Sequence, residues 1–166
     1  SGVITNKNDA FRSCKGLTTI TLSNDILAIE DSAFFDCSAL RNVDLPKNLT
    51  TIGSNAFYGC ALGDTVLPEG ITTIGQYAFG GCGSMTKLTL PSTLTELATY
   101  ALSSMWNTRD FVFTGNAPVI GANAFVTHSI PACTTVTIKS QELQFKQRNC
   151  ASCPTPCENW NDKIQR

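Results

Sequence analysis

The chain has 166 residues, of which 12 are basic and 13 acidic, so its net charge is −1 and only 15% of its residues are charged. A nearly neutral chain lacks the basic excess that binding to phosphates needs, so no nucleic-acid partner is expected. No apolar run approaches the roughly 20 residues of a membrane span, and the single histidine, His128, removes most zinc-enzyme and triad schemes.

A short unit repeats along the chain. The pair Ala-Phe, replaced by Ala-Leu in one copy, recurs at steps of 22 or 23 residues. The six copies are anchored at Ala10, Ala33, Ala56, Ala78, Ala101 and Ala124. A unit this short cannot bury its own apolar face, so the copies are expected to stack on one another. The sequence therefore predicts a solenoid of six coils over residues 1–138.

The residue pattern within each copy predicts one short strand followed by turns. Alternating apolar pairs such as Ile20-x-Leu22 and Val43-x-Leu45 are typical of a strand. In three copies a proline follows the strand and ends it, because proline removes a ladder donor. An Ile-Gly pair then marks a second turn, and residues 54–60 suggest a single turn of helix or 3₁₀ helix. Parallel strands are therefore expected on one wall, and 3₁₀, helical or irregular segments on the other.

The repeat pattern is Leu-x-x-Val-x-Leu-Pro-x-x-Leu-x-x-Ile-Gly-x-x-Ala-Phe-x-x-Cys. It closely resembles the BspA-like leucine-rich repeat, also called the Treponema pallidum type, over residues 10–138. Met105 and His128 replace the cysteine in the last two copies. The resemblance implies a curved, right-handed leucine-rich repeat solenoid. It also implies surface proteins of bacteria and of parasitic or anaerobic protists, several of which are adhesins that bind host matrix proteins.

Half of the eight cysteines occupy one repeat position, namely Cys14, Cys37, Cys60 and Cys82. A vertical ladder of thiols could form a metal or redox stack, or the thiols could pack between coils as small apolar residues. Met105 takes the same position in the fifth copy, which suits packing and not ligation. The sequence therefore predicts a core cysteine ladder without a metal.

The other four cysteines are Cys133, Cys150, Cys153 and Cys157. They could hold zinc, form two disulfides in any of three pairings, or remain free or intermolecular thiols. Because a terminal coil needs a cover, we favour a disulfide-stapled cap over residues 139–166, within which residues 141–148 suggest a short helix. Two bridges would imply an oxidising compartment. The sequon at Asn48, a candidate glycosylation site, fits a secretory route.

Two surfaces are candidates for binding. Solenoids commonly bind partners on the strand-lined wall, whose outward row is Thr21, Asp44, Val66, Thr89, Val112 and Thr137. This row lacks the Trp, Tyr and Arg anchors that dominate protein interfaces. Trp106 and Arg109 fall off the repeat pattern in the fifth copy and are expected to be exposed. They are the second candidate contact.

No nucleophile–base pair, phosphate-binding glycine loop or carboxylate dyad stands out, so we expect a protein that is not an enzyme and has no cofactor. One hypothesis is an extracellular or cell-surface module that recognises or adheres to a matrix or surface protein. The alternative is a structural subunit that stacks with neighbouring subunits in a surface or filament assembly, as a fragment of a longer repeat array. The family resemblance favours the first, and the weakly charged surface favours the second.

Overall fold

The computed structural model describes the backbone of residues 4–125, 134–138 and 141–145, and the side chains of residues 7–125. Within those ranges the chain forms thirteen short strands and no helix. The strands are β1 (Ile4–Asn6), β2 (Thr19–Thr21), β3 (Ile26–Ile29), β4 (Asn42–Asp44), β5 (Thr51–Ile52), β6 (Thr65–Val66), β7 (Thr73–Ile74), β8 (Lys87–Leu90), β9 (Glu96–Leu97), β10 (Asp110–Phe113), β11 (Val119–Ile120), β12 (Thr134–Ile138) and β13 (Gln141–Phe145).

The strands form two rows, each running along the solenoid. The first row, which we call the strand wall, contains β2 paired with β4 and a second sheet in the order β6-β8-β10-β12-β13. The solenoid of parallel strands that the repeats predict is confirmed. The break between β4 and β6 falls in the third copy, which is one residue shorter than its neighbours and holds a strand of only two residues.

The second row is one sheet in the order β1-β3-β5-β7-β9-β11, with parallel pairing where the register is given. The Ile-Gly pair predicted only a turn in this part of each coil, and that prediction missed a whole sheet. The reason is physical, because three of the inner strands have only two residues and gain their hydrogen bonds from neighbouring coils. A two-residue strand leaves almost no period-two pattern to detect.

The remaining wall of each coil consists of turns. We call it the turn wall, and it comprises residues 7–17, 30–41, 53–63, 75–86, 98–108 and 121–125. It carries nine non-glycine residues with φ between 55° and 58°, namely Asp9, Ser13, Ser32, Asp36, Asn55, Tyr77, Tyr100, Ser104 and Asn123. These lie just before the anchoring alanine or three residues after it. Left-handed residues interrupt a right-handed helix. The turn wall therefore forms irregular segments and not the 3₁₀ or helical turns that were the other expected possibilities.

The core lies between the three walls and is built from repeat positions. Ile29, Ile52 and Ile74 point inward from the second sheet and are fully buried. The phenylalanine rings of the Ala-Phe pairs stack along the solenoid, with centroids 5.3 Å apart between Phe34 and Phe57. That spacing is close to the roughly 4.8 Å between strands. Each ring therefore fills one coil and covers the next.

The sheet of the strand wall ends in an antiparallel hairpin. β13 pairs with β12 in a register that places Val136 opposite Leu143. The short helix expected over residues 141–148 is therefore wrong for residues 141–145, which form a strand. The sequence Gln-Glu-Leu-Gln-Phe alternates polar and apolar residues, and the open edge of β12 supplies the backbone partners that a lone segment lacks.

Candidate functional site

The outward row predicted for the strand wall is in register in the structure. Thr21 pairs with Asp44, and Val66 pairs with Thr89 in the second sheet of this wall. The ladder continues from Thr89 to Val112 and on to Thr137. Thr21, Asp44 and Val66 are exposed, whereas Thr89 and Val112 are half-buried. The side chain of Val66 is 73% exposed, so an apolar side chain stands in water near the middle of this wall.

Charged residues flank the row, and one of them, Asp64, forms hydrogen bonds between two coils. Lys87 stands opposite Asp110 in the ladder. The Asp64 carboxylate accepts hydrogen bonds from the backbone N–H groups of Thr86 and Lys87, each at 2.8 Å, and from the Thr86 hydroxyl. The hydroxyl and backbone bonds from Thr86 hold the pKa of Asp64 below its usual range. Asp64 therefore joins two coils and is not a free anion.

Trp106 and Arg109 are both exposed, as expected, but they belong to different walls. Arg109 immediately precedes β10, and its backbone N–H donates to Thr86 O at 2.8 Å, which places it at the start of a strand-wall strand. Trp106 lies on the turn wall. The structure therefore separates two residues that the sequence analysis treated as one contact, and it adds Arg109 to the strand wall.

A shallow open trough of about 300 Å³ lies beside Trp106 on the turn wall. Its lining is Ser38, Gly59, Cys60, Ala61, Gly81, Gly83, Ser84 and Trp106. The indole ring covers Gly83, where an added Cβ would overlap Cε3 of the ring. The Asn107 side chain donates a hydrogen bond to Gly83 O on the same turn. A small residue at position 83 therefore lets Trp106 lie flat, with half of its surface exposed.

A row of aromatic rings on the turn wall was missed by the sequence analysis. This tyrosine row consists of Phe35, Tyr58, Tyr77 and Tyr100. Tyr77 and Tyr100 stack with centroids 4.9 Å apart, and Arg12 lies 4.2 Å above the Phe35 ring. The available signal was an aromatic residue beside four successive Ala-Phe or Ala-Leu pairs. It follows the pair in two copies and precedes it in the next two, so no single repeat position reveals the row.

The core cysteine ladder forms with three rungs. Cys37, Cys60 and Cys82 are buried, and each thiol donates a hydrogen bond to a phenylalanine carbonyl of the preceding coil. Burial raises the pKa of all three thiols, to about 12 for Cys82. Cys14 was expected in the same core ladder, but this expectation is wrong because Cys14 is exposed. No described coil lies on the side of Cys14 where the other cysteines find their carbonyl.

The described cysteines are free thiols, and none of the described residues form a cluster of three or more His, Cys, Asp or Glu that could hold a metal ion. Cys133, Cys150, Cys153, Cys157 and His128 lie outside the described side chains, so the cap and its chemistry remain predictions. No helix in the described part of the chain could cross a membrane.

The candidate glycosylation site lies on the surface. Asn48 is exposed, and its side-chain nitrogen donates a hydrogen bond to Asn24 O at 3.1 Å. The hydroxyl of Thr50, the third residue of the sequon, donates to Leu27 O at 2.9 Å. Both polar side chains of the sequon therefore bond to the preceding coil in the folded chain, and glycosylation of Asn48 remains a prediction.

Comparison with solved structures identifies similar solenoids. A leucine-rich repeat protein of Treponema pallidum is 25% identical, has a TM-score of 0.63, and is matched over 74% of this chain and 63% of its own. One from Eubacterium ventriosum is also 25% identical, with a TM-score of 0.59 over 63% of this chain and 28% of its own. A leucine rich cell surface protein from Faecalibacterium prausnitzii, 23% identical with a TM-score of 0.50 over 70% and 41%, agrees in fold.

The chain spans less than two thirds of the length of each of these three proteins. A comparison with curated proteins finds no match. A family model described as the BspA type leucine rich repeat region, in six copies, matches residues 5–152. Six matched copies over most of the chain agree with six anchoring alanines and with two rows of parallel strands, and on these grounds the chain belongs to the BspA-type leucine-rich repeat proteins.

Proposed function

We propose that this chain is a non-catalytic module that recognises or adheres to a protein through its strand wall. The observation that carries the proposal is Val66, an apolar side chain that is 73% exposed on β6, the third strand along this wall. Val66 pairs with Thr89, and Thr89 pairs with Val112 on the next strand. The centre of this wall is therefore a partly apolar surface of short, branched side chains. Such a surface suits contact with another protein more than it suits a small molecule.

The rim of the strand wall supports the same proposal. Lys87, Arg109 and Asp110 lie next to the apolar centre and carry charges of both signs. A partly apolar centre with a polar rim is the usual anatomy of a protein interface. Arginine is also one of the residue types enriched among binding hot spots, which makes Arg109 the best anchor on this wall.

A non-catalytic role is supported by the chemistry of the described side chains. The buried thiols have raised pKa values and are protonated donors at neutral pH, whereas a nucleophilic cysteine needs a lowered pKa. Among the four cysteines that the structure describes, Cys14 alone is exposed. An extracellular or cell-surface location is supported by the family resemblance and by the cysteine-rich segment predicted to form disulfides.

The experiment compares two valines of equal exposure. Val66 is 73% exposed on the strand wall, and Val119 is 75% exposed on the second sheet. Binding of the full chain to purified collagen, laminin and fibronectin is measured by surface plasmon resonance. Val66→Lys is expected to weaken binding about 10-fold or more, whereas Val119→Lys leaves it unchanged. Equal loss in both variants would place the binding surface elsewhere, and no saturable binding to any matrix protein would contradict the matrix-adhesion role.

The second candidate function is assembly with neighbouring subunits. It is favoured by a separate observation, the exposed indole of Trp106 beside the trough on the turn wall. The two functions are compatible, because they use different walls of the solenoid.

A further inference from the structure

We propose that the turn wall pairs with a second copy of this chain about a two-fold axis, so that the Trp106 indole of each copy enters the trough of the other. This inference rests on the second candidate function and deepens it by naming the partner and the contact. It concerns a wall that the strand-wall partner would not touch. It rests on shape, charge and backbone strain on one face of the molecule.

Trp106 is the projecting element. It is 49% exposed although one side of its ring covers Gly83. Among the described residues no group accepts a hydrogen bond from its indole N–H. Tryptophan carries a large apolar surface with one polar group and is the residue type most typical of interface hot spots. An indole left half in water is therefore an unused anchor.

The trough is the matching recess. At about 300 Å³ it lies at the small end of the range for ligand pockets, which suits one large side chain. Its lining consists mainly of glycine, alanine and serine, so the backbone can be approached closely. Ser38 and Ser84 belong to the lining, and a serine hydroxyl oxygen can accept a hydrogen bond from the indole N–H of the second copy.

Projection and recess lie on one line along the solenoid. Ser38, Ala61, Gly83 and Trp106 each follow the cysteine position of their own copy, from the second copy to the fifth. A two-fold axis that crosses this line between Ala61 and Gly83 exchanges its two ends, Ser38 and Trp106. The projection of one copy then meets the recess of the other. Such self-complementary pairing about a two-fold axis is the commonest form of protein dimer.

The charge distribution also fits a second copy. Residues 53–63, 75–86 and 98–108 contain no Asp, Glu, Lys or Arg. Residues 30–41, which contribute Ser38, do contain Glu30, Asp31, Asp36 and Arg41. In the two-fold pair these residues lie opposite the uncharged turn of the fifth copy, so like charges do not oppose one another. The exposed residues of the three uncharged turns are Tyr58, Gln76, Ser84, Thr86, Trp106 and Asn107. This mixture of aromatic and uncharged polar side chains is typical of evolved protein-binding surfaces.

Backbone strain points to the same face. Tyr77 and Tyr100 adopt φ of 55° and 58°, a conformation that a bulky side chain adopts only under strain. The equivalent residues of the other four copies are Asp9, Ser32, Asn55 and Asn123. Asn and Asp tolerate the left-handed region, and strained residues cluster where a surface has a function. The two tyrosines lie on the uncharged turns, residues 75–86 and 98–108.

The first experiment measures the mass of the full chain by sedimentation equilibrium over a wide concentration range. Self-association is expected with a dissociation constant below about 1 mM. Trp106→Ala should weaken it by about 30-fold or more, as for a hot-spot residue. Ala61→Glu, which places a charge in the trough, should do the same. Val119→Ala on the second sheet, where the side chain is 75% exposed, is the matched control and should leave association unchanged.

The second experiment tests reciprocity by mixing the two defective variants. A Trp106→Ala copy keeps its recess and an Ala61→Glu copy keeps its projection, so only the mixed pair contains one intact contact. The mixture should therefore associate more strongly than either variant alone. The intact contact should also shift the Trp106 fluorescence to shorter wavelength in a Trp160→Phe background.

Three results would overturn the inference: a chain that stays monomeric up to about 1 mM, a Trp106→Ala variant that associates like the unmodified chain, or a mixture no stronger than its components. Circular dichroism and urea midpoints of each variant show that the fold is retained. Because the matrix-protein assay uses the strand wall, it succeeds or fails separately from these outcomes.

Discussion

The Cys60 thiol donates a hydrogen bond to the carbonyl oxygen of Phe34 in the preceding coil, with 3.1 Å between sulfur and oxygen. Cys37 and Phe11 form the same bond one coil earlier, and Cys82 and Phe57 form it one coil later. The phenylalanine whose carbonyl accepts the bond also stacks its ring on the next phenylalanine. The cysteine position therefore joins adjacent coils by a hydrogen bond to a backbone carbonyl. The phenylalanine position joins them by ring stacking in the core.

Replacing Cys60 with alanine should destabilise the protein by about 1–3 kcal/mol, because it leaves the Phe34 carbonyl without this partner and opens a small cavity. Urea unfolding measures the effect. Cys14→Ala is the matched control, since Cys14 is exposed, and its effect should stay within about 0.5 kcal/mol. Equal losses in both variants would show that the bond and burial at Cys60 contribute nothing.

The ladder thiols should resist alkylation in the folded protein. Burial raises the pKa of Cys60 and that of Cys82, the latter to about 12, and the reactive species is the thiolate. With iodoacetamide at neutral pH, Cys14 should be labelled first, and Cys60 and Cys82 only after unfolding. Peptide mass mapping after short exposure assigns each site. Labelling of Cys60 at the rate of Cys14 would contradict the buried ladder.

The Ile-Gly turn requires glycine because coils approach closely there. A Cβ added at Gly75 would lie 2.6 Å from Ser54 N and 2.7 Å from Gly53 C, both backbone atoms that cannot move aside cheaply. Gly75→Ala should therefore destabilise the protein by about 1–3 kcal/mol, measured as a lower urea midpoint. Gly16→Ala is the control, because nothing lies within 4 Å of its added Cβ. That change should be neutral or slightly stabilising.

Acid should weaken the contacts between the middle coils. Bonds from the Ser92 hydroxyl and backbone, and one from Thr114, hold the pKa of Glu69 below its ordinary value, as Thr86 does for Asp64. A carboxylate with a lowered folded pKa stabilises the fold above its unfolded pKa, and that contribution is lost as the pH falls through the folded pKa. The melting temperature should therefore decrease as the pH is lowered below about 4.

Two variants separate Glu69 from general acid unfolding. Glu69→Gln should lower the melting temperature at neutral pH and flatten its decline with acid, because the titrating group is gone. Glu96→Gln is the control, since Glu96 is an exposed carboxylate on β9, and its profile should follow that of the unmodified chain. Identical profiles for all three proteins would show that Glu69 does not contribute.

The cysteine-rich segment should contain two disulfides. Cys133, Cys150, Cys153 and Cys157 are expected to gain four mass units in total on reduction, two for each bridge, and to become alkylatable only then. Intact mass with and without reductant, and with and without a chelator, measures this. Bound zinc with all four thiols alkylatable after chelation would contradict the disulfide cap.

The sequence alone determined the repeat period and the number of coils. It also determined which residues align along the solenoid when the coils stack. Because each copy repeats the same apolar positions, Cys37, Cys60 and Cys82 had to fall on one line, and so did Val66, Thr89 and Val112. A fixed step along the chain becomes a fixed step along the solenoid axis. This is why the ladder and the register of the strand wall could be predicted without coordinates.

Only the tertiary structure decided which positions are covered and which distant positions meet. The second sheet exists because strands as short as Thr51–Ile52 take their hydrogen bonds from neighbouring coils. Cys14 shares its repeat position with buried thiols but is exposed, because burial at this position depends on the preceding coil and not on the residue. Tyr58 and Tyr77 come from different repeat positions and still meet, because the folded turns bring them together.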